Sequence, residues 1–177
     1  MSCLGWSDLE LTRNGQVKAI GAHYEDRTLH RGELRTSADR DAAMAELEKF
    51  LAPATYVAGH NLLAFDAPHI QAFRPNSSLL RKPVIDTLVL SALAFPKKPY
   101  HKLIKDYKLI KDAISDPVRD CKLAQDVLHD AIGALTALPA EVRSVLAALL
   151  QLRIPPNQHT LHPQVRGGLC GSAFGPA

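Results

Sequence analysis

Asp8 and Glu10 stand two residues apart in the stretch Trp6-Ser7-Asp8-Leu9-Glu10-Leu11. In a strand, positions two apart point the same way, so both carboxylates project from one face while Trp6, Leu9 and Leu11 remain available for packing. Two anions held side by side in a folded protein are costly unless a cation lies between them, and their hard oxygens suit Mg²⁺ or Mn²⁺. Solvated acids on a surface strand are the other reading of this stretch. Two more acids bear on the choice. Asp66 follows a short apolar run and opens a helical segment, where the dipole and unpaired N–H groups favour a carboxylate, so it is either a cap or a ligand. Asp120 recurs with Ala124, Val127 and Ala131 at i, i+4, i+7 and i+11, on the inward face of a helix. A buried acid needs a cap, an ion pair or a metal, and three residues inside a helix a cap is disfavoured.

The elements that must position these acids read in order along the chain. Residues 3–34 form a strand meander: a first strand through Leu11, a turn at Asn14-Gly15, a second strand over 17–24 and a third over 28–34. Ser37 caps a helix running to about Leu51, with Ala43, Leu47, Phe50 and Leu51 on one face and Pro53 ending it. Residues 55–58 are a buried strand, and the segment after it closes at Arg74-Pro75. Val84-Ile85 is a further buried strand, and Asp86 caps a helix that Pro96 terminates. Pro117 opens a long helix ending before Pro139, and a last helix over 140–152 turns Val142, Val145, Leu146 and Leu149 inward.

Between these helices, residues 97–111 hold six lysines, including Lys102, Lys105 and Lys108, beside His101 and one acid, Asp106. As a helix this segment places His101, Lys105 and Lys108 on one face, for phosphate contact or for solvation.

The chain has 177 residues, 46% hydrophobic and 22% charged, which suits one domain with a proper core, expected over 1–152. A flexible tail or linker remnant follows over 153–177, where His159, His162 and Cys170 match no metal-site spacing. A net charge of +3 permits nucleic acid as partner without requiring it. Three cysteines without a CxxC pair suggest neither a disulfide framework nor a thiolate zinc site, so a reducing, cytoplasmic setting is expected. No leader-like segment and no run of about 18 uncharged apolar residues is present, so no membrane association is expected.

Four acids on three elements can converge on two divalent ions, which about 3.5–4 Å apart activate a water, bind a scissile phosphate and stabilise the leaving oxygen. Asp8-Leu9-Glu10, then Gly59-His60-Asn61 with Phe65-Asp66, then Asp116-Pro117-Val118-Arg119-Asp120, resemble the three exonuclease motifs of the DEDD superfamily of 3′–5′ exonucleases. The similarity covers roughly residues 4–135. It implies an α/β, ribonuclease H-like fold, a mixed five-stranded sheet flanked by helices. It also implies two Mg²⁺ or Mn²⁺ ions on Asp8, Glu10, Asp66 and Asp120, which would be the catalytic residues as well. The implied substrate is a single-stranded nucleic-acid 3′ end, DNA favoured over RNA. Leu9 and Leu11 fall where the family contacts the last base or sugar, Asn61 where a supporting Asn sits, and Phe65 is expected in the core. His101, Lys102 and Lys105 are the candidate strand contacts.

The chain departs from the family at one position. A His five residues before the last acid, or a Tyr four before it, supplies the general base in the two main branches, and here Ser115 and Asp116 stand there. Neither is a good base near pH 7, and His101 is the conceivable stand-in. Metal-activated water should keep the chemistry at a rate lowered by about 10²–10⁴-fold. The ending also resembles DEDD-like domains joined to bacterial helicases, so a helicase domain or partner is expected beyond Leu152. Two alternatives stand beside the exonuclease: a weak or inactive nucleic-acid-binding domain of the same fold, and an unrelated α/β protein whose acids are caps and surface charges.

Overall fold

The computed structural model of the chain describes residues 3–103 and 116–151; the expectations for Lys105, Lys108, Ser115 and the 153–177 tail lie outside them. The described chain is α/β, a mixed five-stranded sheet with helices on both faces. Its strands are β1 (Leu4–Leu11), β2 (Val17–Tyr24), β3 (Arg27–Arg31), β4 (Tyr56–Gly59) and β5 (Val84–Asp86), in the order β3-β2-β1-β4-β5. β1, β2 and β3 form an antiparallel meander, whereas β4 pairs parallel to β1 and β5 parallel to β4. The chain thus builds outward in one direction from β1 and then in the other, and the β1/β4 seam is where the direction changes. In open α/β sheets that seam, at the carboxyl ends of the parallel strands, is where crevices form.

Each half of the sheet has its own apolar layer. Helix α1 (Ser37–Phe50) and α2 (Ala67–Phe73) cover one face, where Leu9, Ile20, Ala22 and Val57 pack against Met44, Leu47, Leu51 and Ile70. On the other face α3 (Thr87–Ala94) and α4 (Pro117–Thr136) cover Trp6, Ala58 and Ile85 with Leu90, Cys121, Ala124, Leu128, Ala131 and Leu135. Along α4, Asp120 (1% exposed), Ala124 and Ala131 are buried as expected, whereas Val127 is only half-buried and Leu128 next to it is the buried residue.

Several local expectations need correction. Thr36, not Ser37, caps α1: its hydroxyl accepts from Asp39 N–H while the Asp39 carboxylate accepts from Thr36 N–H, a reciprocal box that outcompetes a lone serine cap. The third strand stops at Arg31, since Gly32 and Glu33 (φ 55°) interrupt the ladder before the Leu34 N–H returns to the Lys18 carbonyl of β2 at 3.0 Å. Helix α5 (Ala140–Gln151) packs through Leu146, but Val142, Val145 and Leu149 are exposed, because α4 already completes the layer under it. Trp6 packs on the Asp8 face, opposite to Leu9, as strand alternation requires. No helix among the described residues is long and apolar enough to cross a membrane.

Candidate functional site

Strand β1 lays Trp6, Asp8 and Glu10 on the α4 face and Ser7, Leu9 and Leu11 on the α1 face. Asp8 is paired across the ladder with Gly21 of β2. A Cβ at Gly21 would lie 2.4 Å from the carbonyl carbon of Pro117 and 2.5 Å from the nitrogen of Val118. The missing side chain therefore lets the first turn of α4 rest directly on β2, beside Asp8. Asp116 closes that turn as N-cap, its Oδ1 accepting from the N–H groups of Val118 and Arg119 at 3.0 and 3.3 Å. One turn further, Asp120 enters the space between helix and sheet.

Asp66 reaches the same space from the far side of β1. Parallel pairing with β4 ends at Trp6, so the Leu9 N–H has no strand partner on that edge, and Asp66 Oδ1 accepts it at 2.8 Å. The left-handed backbone of Asn61 (φ 64°) reverses the chain after Gly59, and a π-helical turn (Leu62–Asp66) delivers the carboxylate inward. Asp86 fixes that turn: its oxygens accept from the N–H groups of Asn61, Leu63 and Leu88, each at 2.9 Å. It caps α3, as expected, and it also ties α3 to the turn that carries Asp66. Asp66 itself makes no side-chain cap bond to α2, which removes the capping role considered for it.

Burial pushes the Asp66 carboxyl well above the usual range, and the Asp8 carboxylate pushes it further, against the opposing Leu9 hydrogen bond. Cys121, one residue beyond Asp120, reports the same convergence. Burial raises its thiol first, then the carboxylates of Asp8, Asp66, Asp120 and Asp116 all act on it. Its Sγ lies 3.6 Å from the carbonyl oxygen of Gly21 as donor. Asp8 of β1, Asp66 of the turn after β4, and Asp116 and Asp120 at the start of α4 thus all act on one buried sulfur that lies over β2.

The other predicted residues are placed differently. Glu10 shares the face of Asp8, but its Oε2 pairs with Lys18 Nζ at 3.3 Å, while Oε1 is buried without a hydrogen-bond partner. Leu9 is buried at 4% exposure in the α1 layer, and Leu11 is partly buried against the same layer. Asn61 contributes its backbone N–H to Asp86. Phe65, expected in the core, is instead 38% exposed beside Asp66, its ring against His69 at 4.9 Å, because the π-helical turn rotates it outward. His101 lies in an irregular segment, not a helix, with Nδ1 3.0 Å from Ser91 Oγ of α3; Lys102 is exposed beside it.

The donors fit a hard divalent cation: carboxylate oxygens throughout, a buried Glu10 oxygen without partner, and an Asp66 whose acting neighbours are two further carboxylates and backbone N–H groups. Among the described residues no three His, Cys, Asp or Glu side chains already stand close enough to ligate a single ion. Sequence reasoning missed Gly21 and the double use of Asp86. Gly21 inside a strand, between Ile20 and Ala22, was the available signal, since such a glycine often marks a close backbone approach. Compared with protein-family models and with curated proteins, the chain finds no match in either, so its likeness to a family rests on the motif residues alone.

Proposed function

We propose that this chain carries a metal-dependent 3′–5′ exonuclease domain of ribonuclease H-like fold, hydrolysing phosphodiester bonds at single-stranded nucleic-acid 3′ ends. One observation carries the reading: Asp66, buried at 2% exposure after β4, has the carboxylates of Asp8 and Asp86 as its charged neighbours, and Asp120 of α4 is buried on the sheet face that Asp8 shares. Burying carboxylates that act on one another is costly, and a divalent cation between them would offset that cost. Asp8, Asp66 and Asp120, with Glu10 released from Lys18, would hold the ions. Bound there, two divalent ions supply the Lewis acidity that activates water and stabilises the leaving oxygen.

The remaining tasks fall to the chain itself. The Leu9 N–H orients Asp66, Asp86 holds the 61–63 turn in register, and the Gly21 contact sets how far Asp120 stands from β1. The exposed Phe65 ring next to Asp66 in the chain and the exposed Lys97, Lys98 and Lys102 suit a flexible, negatively charged strand. A single-stranded DNA end is the favoured substrate.

A second reading draws support from Asp116. Its carboxylate is spent on capping α4, so the position four before Asp120 offers no base. The domain would then bind strands with slow turnover, as an accessory to a helicase. Digestion of a 5′-labelled oligonucleotide, DNA and RNA in parallel, with Mn²⁺, Mg²⁺ or EDTA, separates the two. A metal-dependent ladder from the 3′ end, lost in Asp66→Asn, supports the exonuclease. Intact substrate with strand binding retained supports the accessory domain, and neither cleavage nor binding rejects both.

A further inference from the structure

Tyr100 is the most exposed large hydrophobic side chain among the described residues, at 81%. An aromatic ring left in water forgoes the burial that usually holds it, so its surroundings decide what it is for. They are cationic. Between Asp86 and Asp106 the sequence has no carboxylate, and Lys97, Lys98 and Lys102 flank the ring within three residues on either side, all exposed. Lys98 Nζ rests 4.2 Å over the Phe95 ring, which holds one of these cations at the loop base.

The loop is anchored to α3, the helix that also holds His60. His101, next to Tyr100, bonds to Ser91, and one helical turn earlier on the same face of α3 Thr87 Oγ1 lies 2.9 Å from His60 Nδ1. The two anchor points are about 6 Å apart along α3. His60 leads directly into the turn that carries Asp66.

We propose that Tyr100 is a base-stacking platform for single-stranded nucleic acid, with Lys97, Lys98 and Lys102 neutralising the phosphates on either side of the stacked base. An acidic protein could use the lysines and the ring as well, but the strand is favoured because the ring stands alone between cations, with no other exposed large hydrophobic among the described residues 87–103 to form the apolar core of a protein interface. Stacking on an aromatic ring with flanking cations is how sequence-tolerant single-strand binding is built. This rests on the exonuclease reading for its place in the reaction, as the grip on the strand behind the cleaved end. The binding itself needs no metal.

The test is fluorescence anisotropy of a labelled 12-nucleotide thymidine strand in EDTA, across a salt series, with melting curves to establish that each variant is folded. Tyr100→Ala should weaken binding by about 5- to 150-fold, the loss of one stacked base, with the salt slope unchanged, and Tyr100→Phe should bind like the unsubstituted chain. Lys97→Ala, Lys98→Ala and Lys102→Ala combined should reduce the salt slope by about 2. On an abasic strand of the same length, Tyr100→Ala and the unsubstituted chain should bind alike. Equal binding of Tyr100→Ala and the unsubstituted chain to the thymidine strand overturns the proposal, as does absence of strand binding. Binding that follows the expected pattern without metal-dependent cleavage keeps the platform and removes the exonuclease. Cleavage with a silent Tyr100→Ala does the reverse.

Discussion

Gly21→Ala is the sharpest perturbation of the site, because it touches no acid. The added methyl would meet the backbone of Pro117 at 2.4 Å, and restoring an ordinary 3.4 Å contact takes a displacement of about 1 Å. The obstacle is helix backbone, not the end of a flexible side chain, so the first turn of α4 must move as a unit. Overpacking of this kind costs about 1–3 kcal/mol of stability. Asp120 rides on that turn and moves away from Asp8, and misplacement of a reacting constellation by about 1 Å costs on the order of 10²-fold in rate. Gly15→Ala is the matched control. Gly15 has φ 75° with nothing within 4 Å of the new Cβ, so it should cost about 1–2 kcal/mol in backbone strain and leave turnover per folded molecule unchanged. Urea unfolding and oligonucleotide digestion of both variants decide the matter. If Gly21→Ala is as active as Gly15→Ala, the β2–α4 contact does not set the position of Asp120, and the account of the site is wrong.

Three other outcomes follow from the same geometry. Asp66→Asn keeps an acceptor for the Leu9 N–H but removes the titrating group, whose folded value is raised above the ordinary 3.8. Between those two values the folded state holds more protons than the unfolded one, so in EDTA stability falls as pH rises through the window, by up to about 1.4 kcal/mol per pH unit. Asp66→Asn should lack that fall in urea melts, and an unchanged pH profile would contradict the burial argument. Asp116→Asn retains a good cap, so stability and digestion rate should both be close to normal; a rate loss of about 10² or more would make Asp116 the missing base. In a Cys170→Ser background, Ellman's reagent should label the exposed Cys3 promptly and the buried Cys121, its thiol pushed up by burial and by four carboxylates, only on unfolding.

What the sequence made legible was what periodicity and chain order control. Asp120 could be placed inward because Ala124 and Ala131 repeat at helical spacing behind it, and the strand run at 17–24 matches β2 because Asn14-Gly15 marks its start. The strand segments followed from the same signals, whereas the α/β class and the mixed five-stranded sheet were expected from the likeness to the family. Contacts between elements distant in sequence were not legible. Asp66 stayed open between cap and ligand because its partner, the Leu9 N–H, lies 57 residues away. Val142, Val145 and Leu149 fit an amphipathic pattern, yet periodicity cannot say whether a layer remains for them to cover. Phe65 reads as core in any linear pattern, and only the π-helical turn sends it outward.

The central claim is that carboxylates from β1, the turn after β4 and α4 form one metal centre. Titration of Mn²⁺ into the chain, followed by loss of the free-ion electron paramagnetic resonance signal, tests it without reference to turnover. The account predicts two ions taken up per chain. It also predicts weakened uptake in each of Asp8→Asn, Asp66→Asn and Asp120→Asn, and uptake by Asp116→Asn like that of the unsubstituted chain. Mn²⁺ that stays free, or that binds all four variants equally, would contradict it.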